Sequence, residues 1–219
     1  MGKRGPKPKG RVDTTWRPEL AYAVGLITAD GSLSKNGRHI DFTSKDIEQL
    51  ETYKICLGLS DIKIGSKRGG APNFGRYYRV QFGDVLFYQF LQRIGLSENK
   101  SLTVKAIKVP GRYFFDFVRG EWDGDGTIYC SQDKRWKNSY VVSIAFASGS
   151  NLFLVWLQKE INKHLGTTGH VQKNTKAFQL RYARKDSKKL FDAMFYKEGL
   201  PHLERKFAKA VKIFTINGL

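Results

Sequence analysis

Two segments of the chain, roughly a hundred residues apart, each end an apolar stretch with a carboxylate followed by glycine. They run from Ala23 to Gly31 and from Val118 to Gly126, and their carboxylates are Asp30 and Asp125. Two carboxylates held close together bind a divalent metal ion or divide the roles of general acid and general base. The two segments therefore predict one site, in which Asp30 and Asp125 are metal ligands and catalytic residues.

Small residues spaced four apart in both segments indicate how the carboxylates are brought together. These residues are Gly25 and Ala29 in the first segment and Gly120 and Gly124 in the second. Residues four apart lie on the same face of an α-helix, so two such faces can pack backbone to backbone. We expect this helix interface to place the two carboxylates side by side.

The charge of the chain predicts a polyanionic partner. The 219 residues include 38 Lys and Arg against 20 Asp and Glu, a formal net charge of +18. Such a charge favours nucleic acid, whereas a membrane is disfavoured because no apolar run approaches the roughly 20 residues of a spanning helix. Cys56 and Cys130 are isolated, so a zinc site is not expected. Without an apolar leader at its start, we expect the chain to be soluble and intracellular.

The two halves of the chain match in order beyond the two segments. Three further pairs of stretches correspond: 42–47 with 146–151, 78–82 with 178–182, and 94–100 with 198–206. This order indicates a tandem duplication. We assign a basic tail to 1–13, a first unit to 14–108 and a second unit to 109–219, with Pro110-Gly111 at the junction.

Each unit is predicted to fold as αββαββα in the α+β class, with a four-stranded antiparallel sheet covered by helices on one face. In the first unit we predict helices at 18–29, 46–57 and 84–94 and strands at 32–36, 38–43, 62–67 and 76–82. In the second we predict helices at 113–124 and 150–165 and from 187 and 202, with strands at 127–136, 139–147, 168–174 and 177–183.

The open faces of the two predicted sheets carry polar side chains suited to DNA. Apolar residues alternate with Arg79 and Gln81 in one unit and with Gln179 and Arg181 in the other, so these polar side chains point away from the helices. Alternation likewise makes Tyr140 part of a buried set. Arginine pairs with guanine and glutamine with adenine in the major groove, although such residues also form ordinary solvated faces. The predicted DNA-binding residues are Ser34, Asn36, Arg38, Lys63, Lys67, Tyr77, Arg79, Gln81, Tyr129, Ser131, Asp133, Arg135, Ser143, Gln172, Gln179 and Arg181.

Together these features resemble the monomeric LAGLIDADG homing endonucleases that carry two motif copies. The resemblance covers nearly the whole chain, and the two nine-residue segments occupy the motif positions. It implies that the acid at the eighth position binds the metal from both helices, which here is Asp30 and Asp125. It also implies that a basic residue before the last helix of each unit polarises the scissile phosphate or organises water. That role matches Lys100 and Lys206, or its neighbour Arg205.

The implied function is hydrolysis of one phosphodiester in each strand of double-stranded DNA, which leaves 3′ overhangs. The two sheets are expected to form a saddle that straddles the duplex. The implied cofactor is Mg²⁺, with Mn²⁺ or Ca²⁺ able to substitute in binding. Unlike side chains in the two halves predict an asymmetric target, and one chain suffices without a protein partner. The alternative is a catalytically inactive DNA-binding regulator or an RNA splicing maturase. A freestanding or intron-encoded product is expected rather than an intein.

Some motif positions leave their roles open. Thr28 and Asp123 occupy the sixth position of the two copies, and Asp123 is interpreted as a helix-end residue rather than a ligand. Glu121 lies one turn before Asp125 and faces solvent, a cation such as Arg119, or the active site. The basic segment 2–11 either follows DNA phosphates or is a solvated tail.

Overall fold

The computed structural model describes residues 10–67, 77–132 and 140–219. The first unit contains α1 (Pro18–Asp30), β1 (Gly31–Leu33), β2 (His39–Ser44), α2 (Ile47–Leu57), β3 (Gly65–Lys67), β4 (Tyr77–Gly83), α3 (Val85–Ile94) and α4 (Lys100–Thr103). After a single 3₁₀ turn, the second unit contains α5 (Phe114–Asp125), β5 (Gly126–Gln132), β6 (Tyr140–Ser148), α6 (Asn151–Leu165), β7 (His170–Lys173), β8 (Phe178–Ala183), α7 (Arg184–Met194) and α8 (Glu204–Ile216).

The strands form two four-stranded antiparallel sheets of the same topology. Their orders are β1-β2-β4-β3 and β5-β6-β8-β7. The registers also correspond, since Gly31 pairs with Phe42 in one sheet and Gly126 with Phe146 in the other. The predicted α+β class and the tandem αββαββα architecture are confirmed. The boundaries between the tail and the two units stay a prediction.

Helices α1 and α5 form the centre of the molecule. Every residue of α1 from Leu20 to Thr28 is buried, so this helix is covered on all sides. A Cβ atom added at Gly25 would overlap the Phe117 carbonyl oxygen, and one at Gly120 would overlap that of Tyr22. The two backbones therefore touch at a crossing that only glycine permits, as the small-residue spacing predicts.

Local sequence explains where the outer helices begin and end. The Asp84 side chain accepts a hydrogen bond from the Phe87 backbone N–H at 2.9 Å, which caps the start of α3. Helices α2 and α6 occupy equivalent places in the two units. Each ends at a glycine in the left-handed region, Gly58 at φ 68° and Gly166 at φ 62°. This conformation stops a helix at little cost only when the residue lacks a Cβ.

Several predicted boundaries are wrong. Strand β1 ends at Leu33 instead of 36, because the Ser34 N–H donates to the His39 carbonyl and closes the hairpin. Strand β3 begins at Gly65 instead of 62, since Ile62 lies in a turn. Its backbone N–H donates to the Leu59 carbonyl oxygen. Helix α7 starts at Arg184 instead of 187, and α8 starts at Glu204 instead of 202. The short helix α4 is not among the predicted elements. The end of the predicted strand 127–136 lies outside the described residues.

The alternation rule also fails at the first residue of β6. Tyr140 was assigned to the buried set, but it is 45% exposed. It begins its strand opposite Gln132, at the end of the sheet where both partners are exposed.

Within the described part of the chain, no helix is both long and apolar enough to cross a membrane.

Candidate active site and nucleic-acid interface

Asp30 and Asp125 end the two central helices and are immediately followed by the first strand of each sheet. An Oδ atom of Asp30 lies 3.4 Å from the position of a Cβ added to Gly124, so its carboxylate lies against the end of α5. Both side chains reach solvent, yet partial burial raises the pKa of Asp30 to about 6, with a second contribution from the charge of Asp125. Burial also raises the pKa of Asp125.

The surroundings of this pair fit a hydrated cation. In the described residues neither carboxylate makes a hydrogen bond or an ion pair, and no cluster of three or more His, Cys, Asp or Glu side chains is placed to hold a metal ion. The protein therefore offers two carboxylates. Protein sites for Mg²⁺ commonly provide one or two carboxylates, because the ion keeps several waters and takes other ligands from substrate phosphates.

Two lysines, Lys100 buried and Lys206 half-buried, contact the ends of the same helices. The Lys100 ammonium donates to the carbonyl oxygens of Thr28 and Ala29 at 2.6 and 2.8 Å, at the end of α1. The Lys206 ammonium lies 2.7–3.0 Å from the carbonyl oxygens of Trp122, Asp123, Gly124 and Gly126, at the end of α5. The last carbonyls of a helix lack partners within the helix and carry partial negative charge. Each lysine thus caps a helix beside a carboxylate.

The lysines differ from ordinary surface cations in their titration. Burial lowers the pKa of Lys206 to about 8. Burial likewise lowers the pKa of Lys100, while the nearby charge of Glu121 opposes that shift.

Arg205, the alternative to Lys206, has a different partner. Its guanidinium donates to both carboxylate oxygens of Asp46, at 2.8 and 2.7 Å. Asp46 precedes α2, so this pair joins the two units. A pocket of about 170 Å³ lies beside Asp30 and is also lined by Lys45, Asp46, Tyr77 and Arg205. The geometry favours Lys206 as the counterpart of Lys100.

Asp123 is a structural residue rather than a member of the carboxylate pair. It is 2% exposed, and its Oδ2 accepts from the Tyr22 hydroxyl at 2.9 Å and from the Leu203 N–H at 2.8 Å. Burial raises its pKa to about 6. Because Leu203 precedes α8, Asp123 positions the helix that carries Lys206.

Glu121 faces neither solvent nor Arg119. Its side chain is 1% exposed, and its Oε2 has no hydrogen-bond partner. Arg119 instead forms a buried ion pair with Asp116 at 2.8 Å and donates to the Met194 carbonyl at 2.6 Å. Burial first, and the charge of Asp125 second, raise the pKa of Glu121 well above its usual value. Burial and the charge of Asp125 therefore disfavour the ionised form of Glu121, which lies close to the carboxylate pair.

The open face of the first sheet holds a carboxylate that the sequence analysis did not identify. Asp41 accepts from the Arg79 guanidinium at 3.5 Å, the Gln81 amide at 3.4 Å and the Thr43 hydroxyl at 3.1 Å. Alternation signals its position, since its neighbours Ile40 and Phe42 are both buried. At the edge of this face, the Lys45 ammonium lies 5.1 Å from the centre of the Tyr77 ring.

The open face of the second sheet is built around an aromatic ring. The Arg181 guanidinium lies 5.3 Å from the centre of the Tyr129 ring, and Ser131 is exposed further along β5. The Gln179 amide nitrogen donates to the Tyr129 hydroxyl at 3.5 Å, and its oxygen accepts from Gln172, also at 3.5 Å.

Two predicted DNA-binding residues of this sheet are corrected. Gln179 is 6% exposed and Ser143 is 2% exposed. They do occupy the outward positions of their strands, but side chains from adjacent strands cover them. Gln179 lies beneath Tyr129 and Gln172, and Ser143 lies in register between Tyr129 and Ala183. A base cannot reach either side chain in this conformation.

The remaining predicted contacts lie at strand ends and turns. Asn36 accepts from the backbone N–H groups of Arg38 and His39 at 3.2 and 3.1 Å, so it stabilises the hairpin that also contains Ser34. Arg38 and Lys63 are exposed, and Lys67 pairs with Tyr77 at the edge of the sheet. Asp133 and Arg135 lie outside the described residues.

The fold and the paired motif helices define the class of the chain. No protein-family model matches its sequence, and no curated protein sequence matches it. Solved structures do match its fold, and they include homing endonucleases and LAGLIDADG domains. The chain therefore has the LAGLIDADG homing-endonuclease fold, with both motif copies in one polypeptide.

Three solved structures illustrate the range of similar proteins. The homing endonuclease I-WcaI bound to its DNA recognition sequence has a TM-score of 0.63 and 16% identity, over 90% of this chain and 88% of that one. I-SmaMI bound to uncleaved DNA with calcium ions has a TM-score of 0.56 and 13% identity, over 93% and 91%. Full-length DUF199/WhiA from Thermatoga maritima has a TM-score of 0.56 and 14% identity, over 94% and 69%. At these identities the likeness shows the fold alone.

Proposed function

We propose that this protein is a site-specific endonuclease that cleaves both strands of duplex DNA with a divalent metal ion. The observation that carries the proposal is the pairing of Asp30 and Asp125 at adjacent ends of two touching helices. Each carboxylate has a lysine at its own helix end, Lys100 or Lys206. Two equivalent half-sites suit two strands of one duplex.

The metal proposed for the carboxylate pair is Mg²⁺, held by Asp30 and Asp125 together with water and DNA phosphate oxygens. When bound, the ion polarises a phosphoryl oxygen and provides an activated water. Lys100 and Lys206 supply fixed positive charge beside the scissile phosphates. Their contacts with helix carbonyls hold the ammonium groups in place before DNA arrives, and such preorganisation is what makes electrostatic catalysis effective. Calcium accompanied the uncleaved DNA of I-SmaMI, so Ca²⁺ is proposed to support binding without cleavage.

Duplex DNA as the partner is supported by charge and by the two sheets. The net charge of +18 favours binding to duplex DNA, because Lys and Arg that neutralise phosphates release counterions from the DNA. The exposed side chains proposed to contact bases or phosphates are Arg38, Lys63, Arg79, Gln81, Tyr129, Ser131 and Arg181. Because the two sheets carry unlike side chains, the target is asymmetric. Cleavage across the minor groove at its centre leaves 3′ overhangs, and one chain acts without a protein partner.

A catalytically inactive DNA-binding regulator, or an RNA splicing maturase, is the second candidate. The favouring observation is that a DUF199/WhiA protein, not described as an endonuclease, shares the fold. Such a protein would have no need for both carboxylates and both lysines. Their retention at equivalent helix ends favours the nuclease.

The deciding experiment incubates the protein with Mg²⁺ and a randomised duplex library and sequences the new ends. Wild-type protein is expected to give paired breaks at one defined sequence. Asp30→Asn and Asp125→Asn are each expected to lower cleavage by at least 100-fold while retaining binding in Ca²⁺. Asp192→Asn, an exposed carboxylate on α7 paired with Lys188, is the matched control and should cleave normally.

Two results would reject the nuclease. One is the absence of defined breaks with wild-type protein, and the other is an unchanged product pattern with both Asn variants. Binding to a selected duplex without any cleavage would instead identify the regulator.

A further inference from the structure

Among the described strand residues of the first sheet, one carboxylate, that of Asp41, lies within the basic open face. Asp41 is on β2, opposite Gln81 on β4 and Ser32 on β1. Its side chain is 15% exposed, whereas that of its partner Arg79 is 40% exposed. Asp41 therefore lies deeper than Arg79. It supports the exposed side chains of this face from below.

One hydrogen bond to Asp41 orients the Gln81 amide. The Gln81 Nε2 donates to Asp41 Oδ2 at 3.4 Å, so the amide nitrogen is turned toward the carboxylate. A carboxylate accepts hydrogen bonds and cannot donate them, so the opposite orientation of the amide is disfavoured. Among the described residues, nothing else hydrogen-bonds to the second N–H or the Oε1 of Gln81. This is the donor and acceptor pair that recognises adenine in the major groove.

The same carboxylate oxygen holds Arg79. The Arg79 Nη1 lies 3.5 Å from Asp41 Oδ2, and the Thr43 hydroxyl donates to the other oxygen at 3.1 Å. A guanidinium has five N–H donors, so Arg79 retains enough of them for a bidentate contact with guanine. The carboxylate also offsets the charge of Arg79, which weakens its attraction to any phosphate regardless of sequence.

The second sheet lacks this arrangement. In the equivalent register, Ala145 faces Arg181, whereas Asp41 faces Gln81 in the first sheet. The Arg181 guanidinium lies over Tyr129, and among the described residues it has no carboxylate within ion-pair distance. The two halves thus hold their base-facing side chains by different means.

We infer that Asp41 is the specificity-determining residue of the first sheet, which orients Gln81 toward an adenine and Arg79 toward a guanine at nearby base pairs. Removing the carboxylate frees both side chains to rotate, so discrimination falls at those positions. The inference rests on the proposed function only in requiring sequence-specific binding to duplex DNA. It does not require cleavage.

The test measures base preference at every position of the selected target, in Ca²⁺, by sequencing bound and unbound fractions of a singly substituted library. Asp41→Asn and Asp41→Ala are expected to lower discrimination about tenfold at one or two positions of a single half-site. Other positions should change less than twofold, and affinity for unrelated duplex should rise. Thr43→Val, which removes one donor to Asp41, should give a smaller change at the same positions.

Asp192→Asn makes the same change of charge on helix α7, and its preference profile should match wild type. An unchanged profile in both Asp41 variants overturns the inference, as does an equal loss at every position of the target. Circular dichroism and thermal melting of each variant establish that the fold is retained. If the wild-type protein selects no duplex at all, the proposed function fails as well, whereas a selected target with unchanged Asp41 profiles rejects this inference alone.

Discussion

At the scale of single residues, Asp30 predicts how metal binding depends on pH. Its pKa is about 6, raised by burial and by the charge of Asp125. A metal ion binds the ionised carboxylate, so binding below this pKa must first release a proton. We expect the affinity for Mg²⁺ to fall about tenfold from pH 7.5 to pH 5, measured by calorimetry on the DNA-free protein. Equal affinity at the two values would contradict the assignment of Asp30.

The same shift predicts that Asp30 lowers stability. A folded-state pKa above the unfolded value means that stability is lost as the pH rises from about 4 to about 6. Asp30→Asn is therefore expected to stabilise the fold at pH 7.5 by about 1 kcal/mol. This gain is smaller than the full pKa shift implies, because solvent reaches the side chain and screens its charge. At pH 3.5 the gain should disappear. Urea unfolding at both pH values measures the difference.

A suitable control for that measurement is Asp61→Asn. A hydrogen bond from Arg11 lowers the pKa of Asp61, so its ionised form is favoured in the folded state. This variant should gain no stability at pH 7.5. An Asp30→Asn protein that is no more stable than wild type at neutral pH would show that burial and the charge of Asp125 do not disfavour ionised Asp30 in the folded protein.

At the scale of elements, the crossing of α1 and α5 reverses the usual preference of a helix for alanine. Ala is normally about 1 kcal/mol better than Gly within a helix. At Gly25 the added Cβ would overlap the Phe117 backbone carbonyl, which cannot rotate away as a side chain can. We expect Gly25→Ala to destabilise the protein by about 3 kcal/mol, measured by chemical denaturation. It should also impair metal binding, because the helix ends move apart.

The matched control for Gly25→Ala is Gly111→Ala. The nearest atom to a Cβ at Gly111 lies 3.9 Å away, on His164, and its φ is not positive. The substitution should change the free energy of unfolding by less than about 0.5 kcal/mol. If Gly25→Ala were equally harmless, the two helices would not need to touch at this point.

At the scale of the whole molecule, the charge and the duplicated sheets predict steeply salt-dependent binding. A duplex contacted along both sheets would meet roughly 6–10 phosphate-binding side chains, which gives a slope of about −5 to −9 for log K against log salt concentration. Fluorescence anisotropy with the selected duplex, in Ca²⁺ and between 50 and 200 mM salt, measures it. A slope shallower than about −2 would contradict binding across both sheets.

The sequence predicted the architecture well because its signals are periodic and occur twice. Alternating apolar residues in β2, β4, β6 and β8 report which side of a strand faces the helices. The matched order of the two halves identifies equivalent positions. Boundaries at Leu33 and Gly65 were less accurate, since a hairpin hydrogen bond or a turn after α2 ends a strand without changing its composition.

The composition and the repeated motif alone predicted the fold class, the paired helices with their carboxylates, and a polyanionic partner. Only the tertiary structure decided what each polar side chain contacts. Lys206 caps α5, Asp123 holds the start of α8, and Asp41 orients Arg79 and Gln81. The physical reason is that these contacts join residues about 40 to 80 positions apart in sequence. Periodicity reports the direction of a side chain, whereas the packing of neighbouring strands and helices determines its partner.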